Sequence, residues 1–354
     1  MQEINALKLK RDRYYFLSPF GLGDTMILSG FKKTWEKKHG GKIHFLIKAS
    51  HELIMKMYGI HDYTVISLKN VDCDALTLPT DKGPEKGKIY VAHPYYHSAF
   101  KDMHFALLNG ELDFRTYYTT FLDIPQDSPL LEPIQMPTVS KELKTKLKAI
   151  TSFPLKQIAL LLPEASSLAP LSVSFWKRTA EMLTKQNFVV IQNVLNPSFL
   201  IPDVPNIDLT IEELIALGFH CGQVHALRSG MCDLLASKCK DLFVYYPQKK
   251  ALTTYALKFL FPTCSATEKV IRERSESRVN IRIAGIIPLL RIRTRKSKTT
   301  FYFFNFVPLF GFKRKLNNTR FYLLGIPLLK TEKETPSKMH LKMFGFPLVS
   351  IKKK

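Results

Sequence analysis

The sequence predicts an α/β protein with two parallel sheets, followed by a basic C-terminal tail of four short β-hairpin-like repeats. Three observations predict this: a strand–turn–helix–strand pattern near the N-terminus, a second alternation of strands and helices from residue 157, and a motif repeated after residue 278. Strands that alternate with helices favour parallel sheets, because each helix carries the chain back to the starting edge. The three segments correspond to predicted domains 1–150, 151–277 and 278–354.

The N-terminal segment reads as one βαβ unit of Rossmann type. Apolar, β-prone residues 14–17 form a strand, residues 21–24 a glycine-rich turn, residues 26–38 a helix, and residues 42–47 the next strand. A nicotinamide-binding site is not expected here. Its fingerprint needs a third glycine where this chain has Met26, and an acidic residue after the second strand where it has Lys48.

Asp24 is the most informative residue of the glycine turn. A carboxylate at this helix start would repel a bound diphosphate but could accept a proton from a substrate hydroxyl. Capping of the following helix explains the residue equally well, since Asp is a preferred cap. Further along, His93, His97 and His104 show no metal-site spacing and are interpreted as loop or packing residues.

The segment from 125 to 154 is rich in Pro, Ser and Lys and is interpreted as the interdomain connection. A second βα series follows. Its predicted strands are 158–163, 188–193 and 241–247, and its first helix is 175–187. Thr210 is expected to cap a further helix, with Glu213 at the capping-box position.

Arg228, Ser229 and Gly230 precede a helix in this second series. A hydroxyl, a flexible residue and free N–H groups at a helix start can cradle a phosphate, and Arg228 could add a positive charge. An ordinary Ser cap beside a surface Arg is the alternative. Cys232 follows, but no His is paired with it at a spacing that would indicate a nucleophile.

The tail contains an internal repeat. Pro288, Pro308, Pro327 and Pro347 lie 20, 19 and 20 residues apart, each in a Gly/Asn-X-Pro turn between two β-prone runs. Of the net charge of +22, the tail holds +16, with 18 Lys and Arg against two acids. This composition favours an anionic membrane surface; a solvated β-appendage and a phosphate-binding nucleic-acid site are the alternatives. No recognised nucleic-acid motif is present, so no nucleic acid is expected.

Apolar runs, the N-terminal charges and the cysteines indicate the cellular compartment of the protein. No apolar run is long enough to span a bilayer, and charges near the N-terminus stand where a signal peptide is apolar. The five cysteines form no CxxC pair and fit reduced cytoplasmic thiols.

Three stretches resemble the lipopolysaccharide heptosyltransferases of glycosyltransferase family nine: residues 18–35, 158–193 and 209–237. The resemblance implies a GT-B fold, in which two Rossmann-like domains face a cleft. The N-terminal half would bind an acceptor and the C-terminal half a nucleotide-sugar, without a metal or other cofactor. The protein would then be a cytoplasmic glycosyltransferase that builds lipopolysaccharide or capsule polysaccharide of the bacterial cell surface. Its basic tail would hold it, as a peripheral protein, against the inner face of the cytoplasmic membrane.

The resemblance also implies residue roles. Asp24 matches the family's proposed base, Gly21 and Gly23 its glycine turn on the acceptor side, and Ser229 and Gly230 its donor-phosphate segment. Further donor contacts expected in this chain are Arg228, Glu164 and Ser166.

The chain departs from the family pattern in three places. Arg228 stands where the family commonly has Asp before the Ser-Gly, and Cys232-Asp233 where it has His soon after. Glu164 stands where the family more often has Gly, so ADP-heptose is not assumed as the donor. Two other functions are alternatives: a nucleotide-sugar epimerase of the same fold, and a non-catalytic polysaccharide-assembly or membrane-binding protein.

Overall fold

The structure is a computed structural model that describes residues 7–68 and 71–271, together with the backbone of the strands between 276 and 352. The chain divides into two compact units, residues 1–272 (unit 1) and 273–354 (unit 2). Unit 1 consists of two halves, each built on its own parallel sheet. The predicted α/β class with two parallel sheets is confirmed.

The first half has a four-stranded sheet in the order β3-β2-β1-β4. Its strands are β1 Arg13–Leu17, β2 Lys42–Ile47, β3 Tyr63–Val65 and β4 Ile89–Val91. Its helices are α1 Leu22–His39, α2 Glu52–Met57, α3 Cys73–Thr77, α4 Lys101–Asn109, α5 Phe114–Phe121 and α6 Lys141–Lys148. The strand order reverses between β1 and β4, which opens a crevice at their carboxyl ends.

Helix α1 begins four residues earlier than the sequence predicts. Gly21 is its N-cap, and the Asp24 carboxylate accepts a hydrogen bond from the Gly21 N–H at 3.0 Å. This bond stabilises the first turn, so the predicted glycine turn is mostly helix. The helix ends at Gly40, which adopts φ of +64°, a left-handed conformation that glycine reaches without strain.

The second half has a five-stranded sheet in the order β6-β5-β7-β8-β9. Its strands are β5 Ile158–Leu162, β6 Val189–Gln192, β7 Gln223–Leu227, β8 Leu242–Tyr246 and β9 Thr267–Val270. Its helices are α7 Val173–Lys185, α8 Ile211–His220, α9 Gly230–Ala236, α10 Lys249–Tyr255 and α11 Leu257–Leu260. The order reverses between β5 and β7, and the predicted Thr210–Glu213 capping box is confirmed.

The segment interpreted as a connection is more ordered than its composition suggests. It contains α6, of which Leu143 and Leu147 are buried, and the Leu131 N–H donates to the Gly30 carbonyl of α1 at 3.2 Å. A side chain at Gly30 would lie 2.5 Å from Leu130, so glycine allows this close contact. One apolar cluster, which includes Phe31 and Leu160, extends through both halves of unit 1.

Unit 2 is an eight-stranded antiparallel sheet in which each strand pairs with the next in sequence. The strands are β10 Glu276–Ile283, β11 Ile287–Arg295, β12 Lys298–Phe303, β13 Val307–Lys315, β14 Asn318–Leu323, β15 Ile326–Thr335, β16 Lys338–Met343 and β17 Phe346–Lys352. Each repeat proline is the second residue of a strand, beside a register shift. A bulge tolerates proline because a ladder bond is interrupted there. The residues just before these strands, where the turns were predicted, lie outside the described residues.

Candidate active site

A cavity of about 710 Å³ lies between the two halves of unit 1. All of the site residues predicted from the sequence line it: Gly21, Gly23, Asp24, Glu164, Ser166, Arg228, Ser229 and Gly230. They come from the segments that follow β1, β5 and β7 at the carboxyl ends of the strands. Ligands bind at this position in open α/β sheets, where the strand order reverses. The cavity is therefore the candidate active site.

Asp24 is held rigidly in the cavity wall. Its Oδ1 accepts a hydrogen bond from the Tyr118 hydroxyl at 2.5 Å, and its Oδ2 accepts one from the Gly21 N–H at 3.0 Å. About 19% of the Asp24 side chain is exposed. Burial raises the pKa of Asp24 above its usual range, while these two hydrogen bonds oppose the rise. Asp24 thus both caps α1 and faces the cavity as a carboxylate of increased basicity.

Gly23 and Gly230 form a close backbone contact between the two halves. A Cβ on Gly230 would lie 2.8 Å from the Gly23 nitrogen, and a Cβ on Gly23 would lie 3.2 Å from the Gly230 Cα. Atoms at such distances clash, so only glycine at both positions lets the first turns of α1 and α9 approach this closely. These glycines place Asp24 and Ser229 on the same cavity.

Arg228 lines the cavity, but most of its N–H groups are engaged by neighbouring protein groups. Its side chain is 5% exposed and forms a bidentate ion pair with Asp233, at 2.7 and 3.0 Å. Its remaining bonds go to the carbonyl oxygens of Tyr255, at 2.7 Å, and Ser229, at 2.6 Å. Arg228 therefore orders the segment beneath the cavity through these bonds.

The Arg228–Asp233 pair also shows opposing electrostatic effects. Burial works against the charged guanidinium, but Asp233 beside it holds the pKa of Arg228 above its usual range. Burial raises the pKa of Asp233 to about 6, although the guanidinium opposes this rise. Burying such a pair costs desolvation energy. Removing one partner destabilises the folded protein strongly, because the other charge stays buried and unpaired.

The two loop residues predicted to contact a donor differ in their surroundings. The Glu164 carboxylate accepts hydrogen bonds from the backbone N–H groups of Leu195 and Asn196, at 2.9 and 2.8 Å. It thereby fixes the loop after β6 against the loop after β5. Ser166 is exposed on the cavity wall. Ser229 is the N-cap of α9 without a side-chain capping bond, and its hydroxyl lies 4.0 Å from the Cys232 sulfur.

His93 was interpreted from the sequence as a loop or packing residue, but it lines the cavity beside Asp24. Its Nε2 lies 3.9 Å from Asp24 Oδ1. The Tyr95 N–H donates to Nδ1 at 3.1 Å, so the proton of the neutral ring is on Nε2. Burial, together with His104 and His97, lowers the pKa of His93 to about 3. His93 is thus a neutral hydrogen-bond donor rather than the cation of an ion pair.

The other two histidines differ from each other. His104 also lines the cavity and hydrogen-bonds to the Tyr117 hydroxyl at 2.8 Å. His97 is fully buried, and its Nε2 hydrogen-bonds to the Val91 carbonyl at 2.7 Å, as expected of a packing residue.

Sequence reasoning missed His93 and Tyr118 because both reach Asp24 only through the fold. His93 follows β4, which pairs with β1 although 71 residues, 18–88, lie between the end of β1 and the start of β4. Tyr118 lies on α5 and is 94 residues from Asp24. The cluster of aromatic residues near positions 95 and 117 was the one available signal, and it did not distinguish packing from a site.

Aromatic side chains form the wall of the cavity on the side of the first half. The rings of Phe20 and His93 lie 4.0 Å apart, and those of Tyr95 and His104 5.2 Å apart. The ring centroids of Phe114 and of Tyr255, which belongs to the second half, lie 5.3 Å apart, so the wall includes residues of both halves. A wall of this kind is suited to the apolar faces of sugar or nucleobase rings.

Among the residues that the structure describes, no group of three or more His, Cys, Asp and Glu side chains is arranged to hold a metal ion. The same residues include no helix with the length and apolarity needed to cross a bilayer.

Comparison with solved structures finds glycosyltransferases. A family 9 glycosyltransferase from Veillonella parvula is 13% identical, with a TM-score of 0.48 over 75% of this chain and 88% of that one. ADP-heptose lipopolysaccharide heptosyltransferase II from Escherichia coli is 16% identical, with a TM-score of 0.47 over 74% and 90%. The iron-containing heptosyltransferase TibC, solved with ADP-D-β-D-heptose, is 14% identical, with a TM-score of 0.43 over 71% and 63%.

The first of these structures is of the family that the sequence motifs resemble, and the other two are heptosyltransferases. No protein-family model matches the chain, and a search of the curated proteins finds no significant match.

Proposed function

We propose that this protein is a glycosyltransferase that moves a sugar from a nucleotide-sugar to an acceptor of the lipopolysaccharide or capsule type, with inversion and without a metal. One observation carries the proposal. Asp24 from the first half and Ser229 from the second half, which the resemblance assigns to acceptor and donor chemistry, face the same cavity between two Rossmann-like sheets. A GT-B transferase needs this arrangement, because the two substrates react in the cleft.

Asp24 supplies the base in the proposed reaction. Its carboxylate takes the proton of the acceptor hydroxyl, and the hydroxyl oxygen forms a bond to the anomeric carbon from the face opposite the leaving group. The bond from the anomeric carbon to the phosphate oxygen breaks, and the nucleotide leaves with the electron pair. The raised pKa of Asp24 favours this role, since a base works best when its pKa approaches the working pH.

The second half holds the departing nucleotide. The Ser229 and Ser166 hydroxyls and the backbone at Gly230 face the cavity as neutral hydrogen-bonding groups. Arg228 acts as a positioning residue, because its ion pair with Asp233 and its bond to the Ser229 carbonyl order the segment that carries Ser229. Glu164 holds the neighbouring loop in place in the same way.

An Asp24→Asn variant tests this function. The variant retains the shape of the side chain but cannot accept the proton, so we expect transfer to fall at least 10²-fold while nucleotide binding is retained or strengthened. The assay measures transfer of labelled sugar from nucleotide-sugars to membranes of the source organism. Asp102→Asn, on the exposed face of α4, is the matched control. Full activity of Asp24→Asn would rule out Asp24 as the base, and donor conversion without any acceptor would favour an epimerase.

We further propose that unit 2 associates with the anionic inner face of the cytoplasmic membrane. Arg291, Arg293 and Arg295 alternate along β11, so they fall on one face of the sheet. The register places Arg278 of β10 and Lys298 of β12 in the same basic rows. Each basic residue near such a surface contributes about 1 kcal/mol to binding.

Vesicle binding tests this second proposal. The full chain should pellet with vesicles that contain phosphatidylglycerol but not with neutral phosphatidylcholine vesicles. A variant with Arg291, Arg293 and Arg295 replaced by Gln should lose most of this binding. Replacement of Lys141, Lys144 and Lys148 on α6 in unit 1 by Gln removes the same charge elsewhere and is the control. Equal loss in both variants would contradict a specific role for unit 2.

A further inference from the structure

The cavity is acidic, although the chain as a whole is strongly basic. The charged residues that line it are the carboxylates of Asp24, Glu164 and Asp233 and the guanidinium of Arg228. Among the residues with described side chains, no Lys and no second Arg lines the cavity. Arg228 forms its ion pair with Asp233 and also favours the ionised form of Asp24, so one guanidinium stands against three carboxylates.

Arg228 cannot turn to a ligand without losses elsewhere. Four of its five N–H groups are used, two by Asp233 and one each by the Tyr255 and Ser229 carbonyls. Its release would leave the Asp233 carboxylate, which is 2% exposed, buried without a partner. Such a loss is much larger than the gain from one exposed phosphate contact.

Among the residues with described side chains, the groups left to bind a phosphate are neutral hydroxyls and the one unused N–H of Arg228. The hydroxyls of Ser166, Ser167 and Ser229 line the part of the cavity that belongs to the second half. Hydroxyls stabilise a phosphate through hydrogen bonds, but they do not neutralise its charge as Arg or Lys would. The site is thus built for a ligand with little negative charge.

We propose that the donor is a sugar linked to a nucleoside monophosphate, through a single phosphodiester, rather than to a nucleoside diphosphate. This inference rests on the proposed transferase function. A monophosphate-linked sugar carries one negative charge fewer than a diphosphate-linked sugar. The difference matters here because Asp24 must stay ionised to act as the base, and it repels each added charge at short range. Transfer breaks the bond between the anomeric carbon and the phosphate oxygen, and the nucleoside monophosphate leaves with the electron pair.

Thermal-shift titrations of the full chain test the proposal. The probes are CMP, UMP, AMP and GMP, each paired with the diphosphate of the same base, in 50 and 300 mM NaCl. Inorganic phosphate and pyrophosphate are the controls for binding to the basic residues of unit 2. For one base, we expect the monophosphate to give half-saturation at a concentration at least tenfold below that of its diphosphate, with little change between the two salt concentrations.

Two results would overturn the proposal in distinguishable ways. A diphosphate that binds more tightly than its own monophosphate, after correction for pyrophosphate, would refute the donor class but support the transferase. If none of the eight nucleotides shifts the melting temperature beyond the phosphate controls, the proposed function fails and the inference fails with it.

A charge introduced into the cavity provides an independent test. Ser167 is exposed on the cavity wall, so Ser167→Lys adds a cation there without displacing a buried group. Ser167→Met has a similar length and no charge, and it is the matched control. We expect Ser167→Lys to bind the diphosphate about tenfold more tightly than Ser167→Met does, with a smaller effect on the monophosphate. Equal affinities in the two variants would show that the cavity's charge does not select the donor.

Discussion

Tyr118→Phe should raise the pKa of Asp24. The Tyr118 hydroxyl donates to Asp24 Oδ1 at 2.5 Å, and this bond lowers the pKa of a carboxyl that burial raises. A hydrogen bond to a charged group contributes about 1.5–3 kcal/mol, and 1.36 kcal/mol corresponds to one pKa unit. Loss of the hydroxyl should therefore raise the pKa of Asp24 and destabilise the protein with ionised Asp24 by about 1.5–3 kcal/mol.

The same change should alter the pH dependence of stability. A carboxyl whose pKa is raised by folding lowers the free energy of unfolding as pH rises through the interval between its unfolded and folded pKa values. Because Tyr118→Phe widens that interval upward, the variant should be destabilised most at neutral pH. At pH values below the unfolded pKa, where Asp24 is protonated in both states, the difference from wild type should be smaller.

Two measurements check this prediction. The carboxyl carbon of Asp24, followed by ¹³C NMR, reports its pKa directly, and urea unfolding at pH 4 and pH 7.5 reports the stability. Tyr117→Phe is the matched control, since its hydroxyl lies on the same helix but bonds to His104. An Asp24 pKa that is the same in wild type and Tyr118→Phe would refute the reasoning, as would an equal shift in the control.

Three further predictions concern the contact between the halves and the cavity. Gly230→Ala should destabilise the protein by about 1–3 kcal/mol in urea unfolding, because the new methyl would lie 2.8 Å from the Gly23 nitrogen; Ser229→Ala, one residue earlier, should cost less. Arg228→Met should cost about 3–5 kcal/mol by leaving Asp233 buried without its partner, and the double variant with Asp233→Leu should recover part of that loss. If the double variant loses more unfolding free energy than the two single variants lose together, the broken ion pair does not explain the loss in Arg228→Met. ¹⁵N NMR should find His93 neutral, with its proton on Nε2, from pH 5 to 8; titration of this ring near pH 6.5 would contradict its burial.

Local patterns were sufficient to predict the elements around the site. Residues 14–17 and 158–162 are continuous apolar runs, which predict buried strands of parallel sheets. The Thr210–Glu213 capping box and the approximate bounds of α7 also follow from short-range signals. Such predictions succeed because strand burial and helix capping depend on neighbours within a few residues.

The assignment of Arg228 shows where local patterns fail. From the sequence, an Arg beside Ser-Gly at a helix start could bind a phosphate or lie on the surface. In the structure the side chain is buried and already paired, because Asp233 is one turn along α9 and the carbonyl of Tyr255 comes from α10. Only the packing of these two helices could show that the guanidinium was already paired.

The sequence by itself determined that this chain alternates strands and helices twice, that a basic repeat follows, and that Asp24 and the segment from Arg228 to Gly230 stand at helix starts. Those features are local in sequence. The tertiary structure decided that the two helix starts meet at Gly23 and Gly230, that His93 and Tyr118 flank Asp24, and that the cavity is acidic. These are contacts between residues far apart in sequence, and they depend on which strands pair and on how closely two backbones can approach.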